Sequence, residues 1–254
     1  MSVTEDVPAE APSQPRVAAP RIAAWWWLVA VCVLVLASAG ATLVAWWALS
    51  RETRTTTYRV LGDLAALKLD VGTADVEIEG GATAVEVRRA DRFAFGRPSL
   101  ERRTVRAGAL TIVSRCPDQV LGACHASYRL TVPDNVPVEI KTSSGRVRLT
   151  SVRASVQVST GSGAVSATGF CGFMLRAVSD SGNVGAASEC SADRVELRSR
   201  SGDVRAVVPP GRYEVDAQSD SGTRRVHGIA VGADAPFQIQ ALSTTGDVTV
   251  EAAS

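Results

Sequence analysis

Apolar residues fall along this chain in two regimes. From Ala23 to Leu49 there are 27 residues without a charge, including Leu28-Val29-Ala30-Val31 and Leu34-Val35-Leu36. About 20 apolar helical residues cross a bilayer, so this run predicts one transmembrane helix with some tilt. Trp25, Trp26 and Trp27 stand at one end and Trp46 and Trp47 at the other, where indole rings prefer the headgroup level. Beyond residue 60 apolar and polar residues alternate instead, as in Val138-Glu139-Ile140-Lys141-Thr142 and Val195-Glu196-Leu197-Arg198-Ser199. Period two predicts strands with one buried face.

The alternation repeats. A Ser/Thr-x-Ser/Thr-Gly-x-Val element surrounds Gly145, Gly163, Gly182, Gly202 and Gly246, with a weaker copy at Gly222, at steps of 18, 19, 20, 20 and 24 residues. Seven places before the glycine stand Val138, Val156, Leu175, Val195, Val215 and Ile239; three before stand Thr142, Thr160, Ser179, Ser199, Ser219 and Ser243. Two places after it come Val147, Val165, Val184, Val204 and Val248, with Arg224 breaking the column. Such regularity is that of a stacked repeat, each unit being strand, corner, strand and connection. The glycine reads as a corner residue that needs positive φ, and the hydroxyl columns as ladders satisfied between neighbouring coils. Leu67 to Ile78 repeats the pattern with Ala74 in place of the glycine, and an insertion over about residues 86–132 is expected to cap that end. At the other end the chain stops four residues after Val250, which predicts an open coil edge there. Arg224 and the 24-residue step predict a bulge or loop between Arg224 and Pro236.

Cysteine positions bear on the architecture. Cys116 and Cys124 bracket a short loop, while Cys171 and Cys190 each follow a marker glycine by eight residues. Two local pairs, 116 with 124 and 171 with 190, imply an oxidising compartment, against the alternative of four buried thiols. An antiparallel meander would place equivalent residues of consecutive repeats about 9.6 Å apart, and a β-solenoid about 4.8 Å apart. A Cys171–Cys190 bond decides for the solenoid, because a disulfide needs Cα atoms roughly 4.4–6.8 Å apart.

Composition narrows the rest. The 27 basic and 26 acidic residues nearly cancel, so no pull toward nucleic acid is indicated. Residues 1–22, rich in Pro, Ala, Glu and Ser, predict a disordered cytoplasmic tail; 23–49 the span; 50–59 a juxtamembrane linker; and 60–252 an extracytoplasmic repeat domain. Ala37-Ser38-Ala39 offers a signal-peptide cleavage site, but the apolar run continues past it, which favours a retained anchor. Arg51, Arg54 and Arg59 after the span slightly oppose an inside N-terminus; the cysteines favour an outside domain.

Candidate chemistry is sparse. The outward carboxylates Asp180, Glu196, Asp203, Asp220 and Asp247 stand in columns mixed with Arg200, Arg146 and Asn183, the mark of a solvated, salt-bridged face rather than a glycosidase pair. Gly161-Ser162-Gly163 belongs to a repeated corner and not to a nucleophile elbow. His125 and His227 are read as surface residues, and neither a zinc spacing nor a calcium-binding acidic ladder is present. No catalytic, metal or cofactor residue is assigned.

With Tyr128-Arg129-Leu130-Thr131-Val132-Pro133 and the repeated Ser-Gly-Asp-Val on the page, the chain resembles the adhesin-type domain-of-unknown-function family (DUF4097-type) of bacterial envelope proteins, over about residues 60–252. The resemblance implies an all-β fold, a right-handed β-solenoid-like stack of about seven two-strand repeats behind one transmembrane α-helix, without established enzymatic activity. The expected role is a membrane-anchored interaction module, with a cell-wall polymer, an envelope protein or a second copy at the open solenoid edge as partner. An envelope-stress sensor and a polysaccharide-active enzyme are the alternatives.

Overall fold

The computed structural model describes residues 22–49, 51–94, 98–117 and 123–253. The expected tail lies outside these residues, save Ile22, as does most of the loop inside the first cysteine pair. Two units are separated at Leu49. The first holds helix α1 (Ile22–Leu49), 28 residues with no acidic first turn and no basic last turn. Its stretch from Trp25 to Trp46 is long and apolar enough to cross a membrane, and none of it is buried. A rise of about 1.5 Å per residue matches a hydrocarbon core of about 30 Å.

The second unit is all β. Its strands are β1 (Arg51–Val60), β2 (Ala66–Glu79), β3 (Val85–Ala94), β4 (Leu100–Arg106), β5 (Ala109–Arg115) and β6 (Ala123–Thr131). Then come β7 (Val138–Ser144), β8 (Val147–Thr150), β9 (Val156–Thr160), β10 (Val165–Phe170), β11 (Met174–Ser179), β12 (Val184–Ser188), β13 (Arg194–Ser199) and β14 (Val204–Val208). The last are β15 (Arg212–Ser219), β16 (Arg224–His227), β17 (Ala230–Val231), β18 (Phe237–Ser243) and β19 (Val248–Ala252).

These strands form two ladders that share β2. The first sheet runs β4-β5-β2-β7-β9-β11-β13-β18-β15-β17, parallel throughout except β4 against β5. The second runs β1-β3-β6-β2-β8-β10-β12-β14-β19-β16, antiparallel only at β1–β3 and β3–β6. Parallel register puts equivalent residues side by side: Val138, Val156, Leu175, Val195, Ile239 and Val215 form one row across the first sheet. Alternate residues then face a continuous core between the sheets, where Ile140, Val158, Leu197, Val147, Val204 and Val250 are fully or almost fully buried. This is a stack of coils and not a meander.

The marker glycines require a different reason from the one the pattern suggested. Among them only Gly145 has a positive φ, of 150°. The others are glycine because a Cβ would strike the backbone of the adjacent coil. A Cβ on Gly182 would lie 2.1 Å from the Gly163 carbonyl oxygen, and one on Gly202 would lie 2.4 Å from that of Gly182. The neighbouring hydroxyls fix that close approach. Ser179 Oγ accepts from the Gly182 N–H at 2.9 Å and donates to the Gly163 carbonyl at 3.0 Å. Ser199 and Ser243 donate likewise to Gly182 and Gly202. The hydroxyl columns are thus a buried ladder in which corner carbonyls, which no strand pairing reaches, find a partner.

The coil order also corrects an expectation. The Gly246 coil, last in sequence, is not last in space. Its strands β18 and β19 lie between β13–β14 and β15–β16. A Cβ on Gly246 would meet Gly202, and one on Gly222 would meet Gly246. The end of the stack is therefore the Gly222 coil, and the open edge belongs to β16 and β17 rather than to the C-terminal strand. The extra residues before Pro236 hold β17, which pairs with β15 at Arg212 and Tyr213, before the chain returns inward. Arg224 interrupts the valine column because it occupies the outermost coil, where its side chain is exposed.

At the opposite end β5 and β6 add one more parallel coil beside β2. The antiparallel strands β1, β3 and β4 extend the two ladders from there. Between them lies a buried polar cluster: Glu101 pairs with Arg89 at 3.2 Å and Arg103 at 2.9 Å, and accepts from Tyr128 at 2.9 Å and Tyr58 at 3.1 Å. Asp91 holds the other side of Arg89 at 2.9 Å and accepts from Ser99. Burial, followed by the Glu101 charge, pushes the Tyr58 hydroxyl well above the ordinary tyrosine range.

Candidate interaction faces

The structure joins Cys116 to Cys124 and Cys171 to Cys190, with Cα separations of 5.9 and 4.8 Å. The second pair follows β10 and β12, which are adjacent coils, so its separation is the stacking distance of the coils themselves. The first links the end of β5 to β6 across the corner of the added coil. The corner glycines Gly145, Gly163, Gly182, Gly202, Gly246 and Gly222 lie in a single file along the stack, in that order.

Four of the outward carboxylates, Asp180, Glu196, Asp203 and Asp247, are engaged in holding coils together. Asp203 Oδ1 accepts the Asp247 N–H at 2.9 Å, and Asp247 Oδ1 accepts the Thr223 N–H at 2.8 Å and its hydroxyl at 2.7 Å. Asn183 serves the Asp203 N–H, and Asp75 the Arg146 N–H, in the same manner. The residue after Gly182, Gly202 and Gly246, and after Ala74 at the equivalent corner, thus accepts from the next coil a backbone donor that the ladders leave over. These Thr223 hydrogen bonds hold the Asp247 carboxyl below the usual range, so it is a poor proton donor near neutrality. Glu196 is buried between Arg198 at 2.9 Å and Arg176 at 3.5 Å, and Asp180 pairs with exposed Arg200. Thr244 of the inserted coil separates Arg200 from Asp220, so the alternation of charge along that column stops there. His125 contacts Asp75 and His227 contacts Glu251, each at 3.2 Å. Among the described residues no group of His, Cys, Asp and Glu could hold a metal ion.

The two outer faces differ. On the first sheet charges are paired across strands: Lys68–Glu139–Lys141, Arg115–Asp70 and Arg176–Glu196–Arg198. Glu139 is held below the ordinary carboxylate range by hydrogen bonds from Lys141 and Lys68. On the second sheet a shallow depression of about 330 Å³ lies over β2, β3, β6 and β8, lined by Arg88, Arg129, Arg146 and Arg148 beside Asp75 and Glu77. Sequence columns missed it because β3 and β6 stand outside the corner repeat, so their arginines align with Arg148 only through strand register.

Comparison with known proteins agrees with this architecture. Residues 134–251 match the family model Toastrack DUF4097. Over these residues the repeat array is similar to the Toastrack type. The match begins later than the resemblance over residues 60–252 implied, and leaves out the segment that carries the antiparallel strands. A candidate cell adhesion protein from Clostridium sporogenes, known from its crystal structure, is 12% identical, and the alignment covers 80% of this chain and 100% of that one at a TM-score of 0.50. A candidate adhesin from Bacteroides fragilis is 14% identical over 80% of this chain and 97% of that one, at a TM-score of 0.34. A candidate lipid binding protein from Parabacteroides distasonis is 13% identical over 77% and 96%, at 0.33. No curated protein matches the chain. The first structure shares the fold of this repeat array, and fold alone is what that likeness carries.

Proposed function

We propose that this protein is a single-pass membrane protein that presents its Toastrack array outside the cell as a non-enzymatic interaction module. The observation that carries this reading is the use of the outward acids: Asp75, Asp203 and Asp247 bind backbone donors of neighbouring coils, and Glu196 and Asp180 pair with arginines. Long, regularly decorated faces remain, suited to contact with an extended partner. Two disulfides favour an oxidising compartment for the array, and α1 has the length and composition of an anchor. The N-terminus is accordingly read as cytoplasmic.

Protease added to intact cells tests the arrangement. The expected result is digestion of the array while a tag at the N-terminus stays protected. An array protected until the membrane is opened would overturn the outside placement, and turnover of wall glycans by the purified full chain would overturn the non-enzymatic reading.

A further inference from the structure

Charge is unevenly spread along the outer face of the second sheet. One cross-strand row contains Arg88 of β3, Arg129 of β6, Glu77 of β2 and Arg148 of β8, each in register with the next. Arg88 and Arg129 stand directly opposite one another in an antiparallel pair, where like charges oppose folding. Glu77 relieves only one of them, binding Arg129 at 2.8 Å. Asp75, the other acid in the depression, is taken up by the Arg146 N–H at 2.8 Å and by His125 at 3.2 Å. Among the described residues Arg88, Arg146 and Arg148 are left without a carboxylate, while further along the same face Arg205 pairs with Glu251 and Arg225 with Asp247.

We infer that this arginine row binds an extended polyanion, a linear polymer bearing phosphate or carboxylate groups, rather than a single small anion. Arg88 and Arg148 are three strand steps apart, about 14 Å at the usual interstrand spacing, which one phosphate cannot bridge. Each guanidinium is exposed and individually weak, so affinity has to come from several contacts along one chain. Arginine suits the task because its planar fork takes two oxygens of a phosphate or carboxylate at once. The inference rests on the interaction-module reading and names the chemistry of the partner.

The test is calorimetric titration of the full chain, in nonionic detergent micelles, with linear polyphosphate as probe and inorganic phosphate as the single-anion control. Saturable polyphosphate binding that weakens with added NaCl is expected, with inorganic phosphate far weaker. Arg88→Gln with Arg148→Gln should weaken binding about tenfold, the loss of two exposed charge contacts. Arg205→Gln with Arg225→Gln removes the same formal charge from the same face and should leave affinity within about twofold. Arg88→Lys with Arg148→Lys, which keeps the charge but loses the planar fork, should weaken binding less than the glutamine pair does and so separates lost contacts from misfolding. Absence of saturable binding, or equal weakening by the two glutamine pairs, overturns the site. Binding only to micelles doped with anionic lipid overturns the polymer in favour of a membrane surface. None of these outcomes alters protease accessibility on intact cells, so the arginine row can fail while the outside module stands.

Discussion

Replacing Gly182 by alanine adds one methyl group at the closest approach between two coils. The new Cβ would sit 2.1 Å from the Gly163 carbonyl oxygen, 2.5 Å from its carbon and 2.9 Å from the Ala164 nitrogen. All three are backbone atoms, so no side-chain rotation can clear the contact. Restoring an ordinary separation of at least 3.4 Å from that oxygen means opening the corner by more than 1 Å. That movement stretches the Ser179 bond to Gly163, now 3.0 Å, and the Gly182 N–H bond to Ser179, now 2.9 Å. Overpacking costs about 1–3 kcal/mol, and each buried polar group left unmet about 1–3 kcal/mol more. With one of those two bonds lost, Gly182→Ala should therefore destabilise by roughly 2–6 kcal/mol.

Gly185 provides the control. It lies in β12, three residues further on, with its nearest neighbour 4.0 Å from a built Cβ. Gly185→Ala should be neutral or stabilise by about 0.5–1 kcal/mol, by restricting the unfolded chain. Urea titration followed by the β-sheet band of the circular dichroism reads both variants. Tryptophan fluorescence would not, because all five tryptophans fall between Trp25 and Trp47, outside the repeat array. A Gly182→Ala cost below about 0.5 kcal/mol, or equal effects at the two positions, would refute the close-approach argument.

Replacing both Cys171 and Cys190 by serine frees a 19-residue separation and should cost about 3 kcal/mol. The check is the urea midpoint beside non-reducing peptide mapping, and an unchanged midpoint would deny the bond a stabilising role. Asp247, Glu251 and Asp216 are held below the ordinary carboxylate range by hydrogen bonds from Thr223, Arg205 and Gln240 respectively. A depressed folded pKa gives stability that is present above the unfolded value and lost as pH falls through the folded one. The urea midpoint should thus hold near neutrality and decline below about pH 4, with a shallower decline for Asp247→Asn with Glu251→Gln; identical profiles would count against the ladder. Glu101→Gln removes the carboxylate that the buried Arg89 and the half-exposed Arg103 share and should cost about 3 kcal/mol, mostly through Arg89, read from the same titration.

Much of the array was legible because a stack imposes identical demands on every coil. The rows of Val138, Val156 and Leu175 are one-dimensional in sequence and remain so in space, since parallel register maps equal positions onto one another. The Thr and Ser column was legible as a ladder for the same reason. The cause of the glycine column was not. Positive φ and close backbone approach both select glycine, and only the distance to the preceding corner separates them. The arginine row was hidden too, because β3 runs antiparallel to β6 and their alignment follows no repeat period.

Insertion of the last coil between two earlier ones left a mark in the sequence that could be read in two ways. Arg224 in a valine column and a 24-residue step describe a bulge equally well as a coil that has nothing to cover. Burial decides between them. Four consecutive coils bury Val147, Val165, Val184 and Val204 at this position, and the inserted coil buries Val248. Arg224 pairs in register with Val248 yet is exposed. A stack needs a polar terminal unit to stay soluble, and a coil with a degraded apolar column fills that role. Placing the degraded copy outermost also gives β18 and β19 a partner on either side, so the final strand of the chain is protected instead of exposed as an edge. The weak repeat is therefore the cap of the array, and its arginine is the reason it can be one.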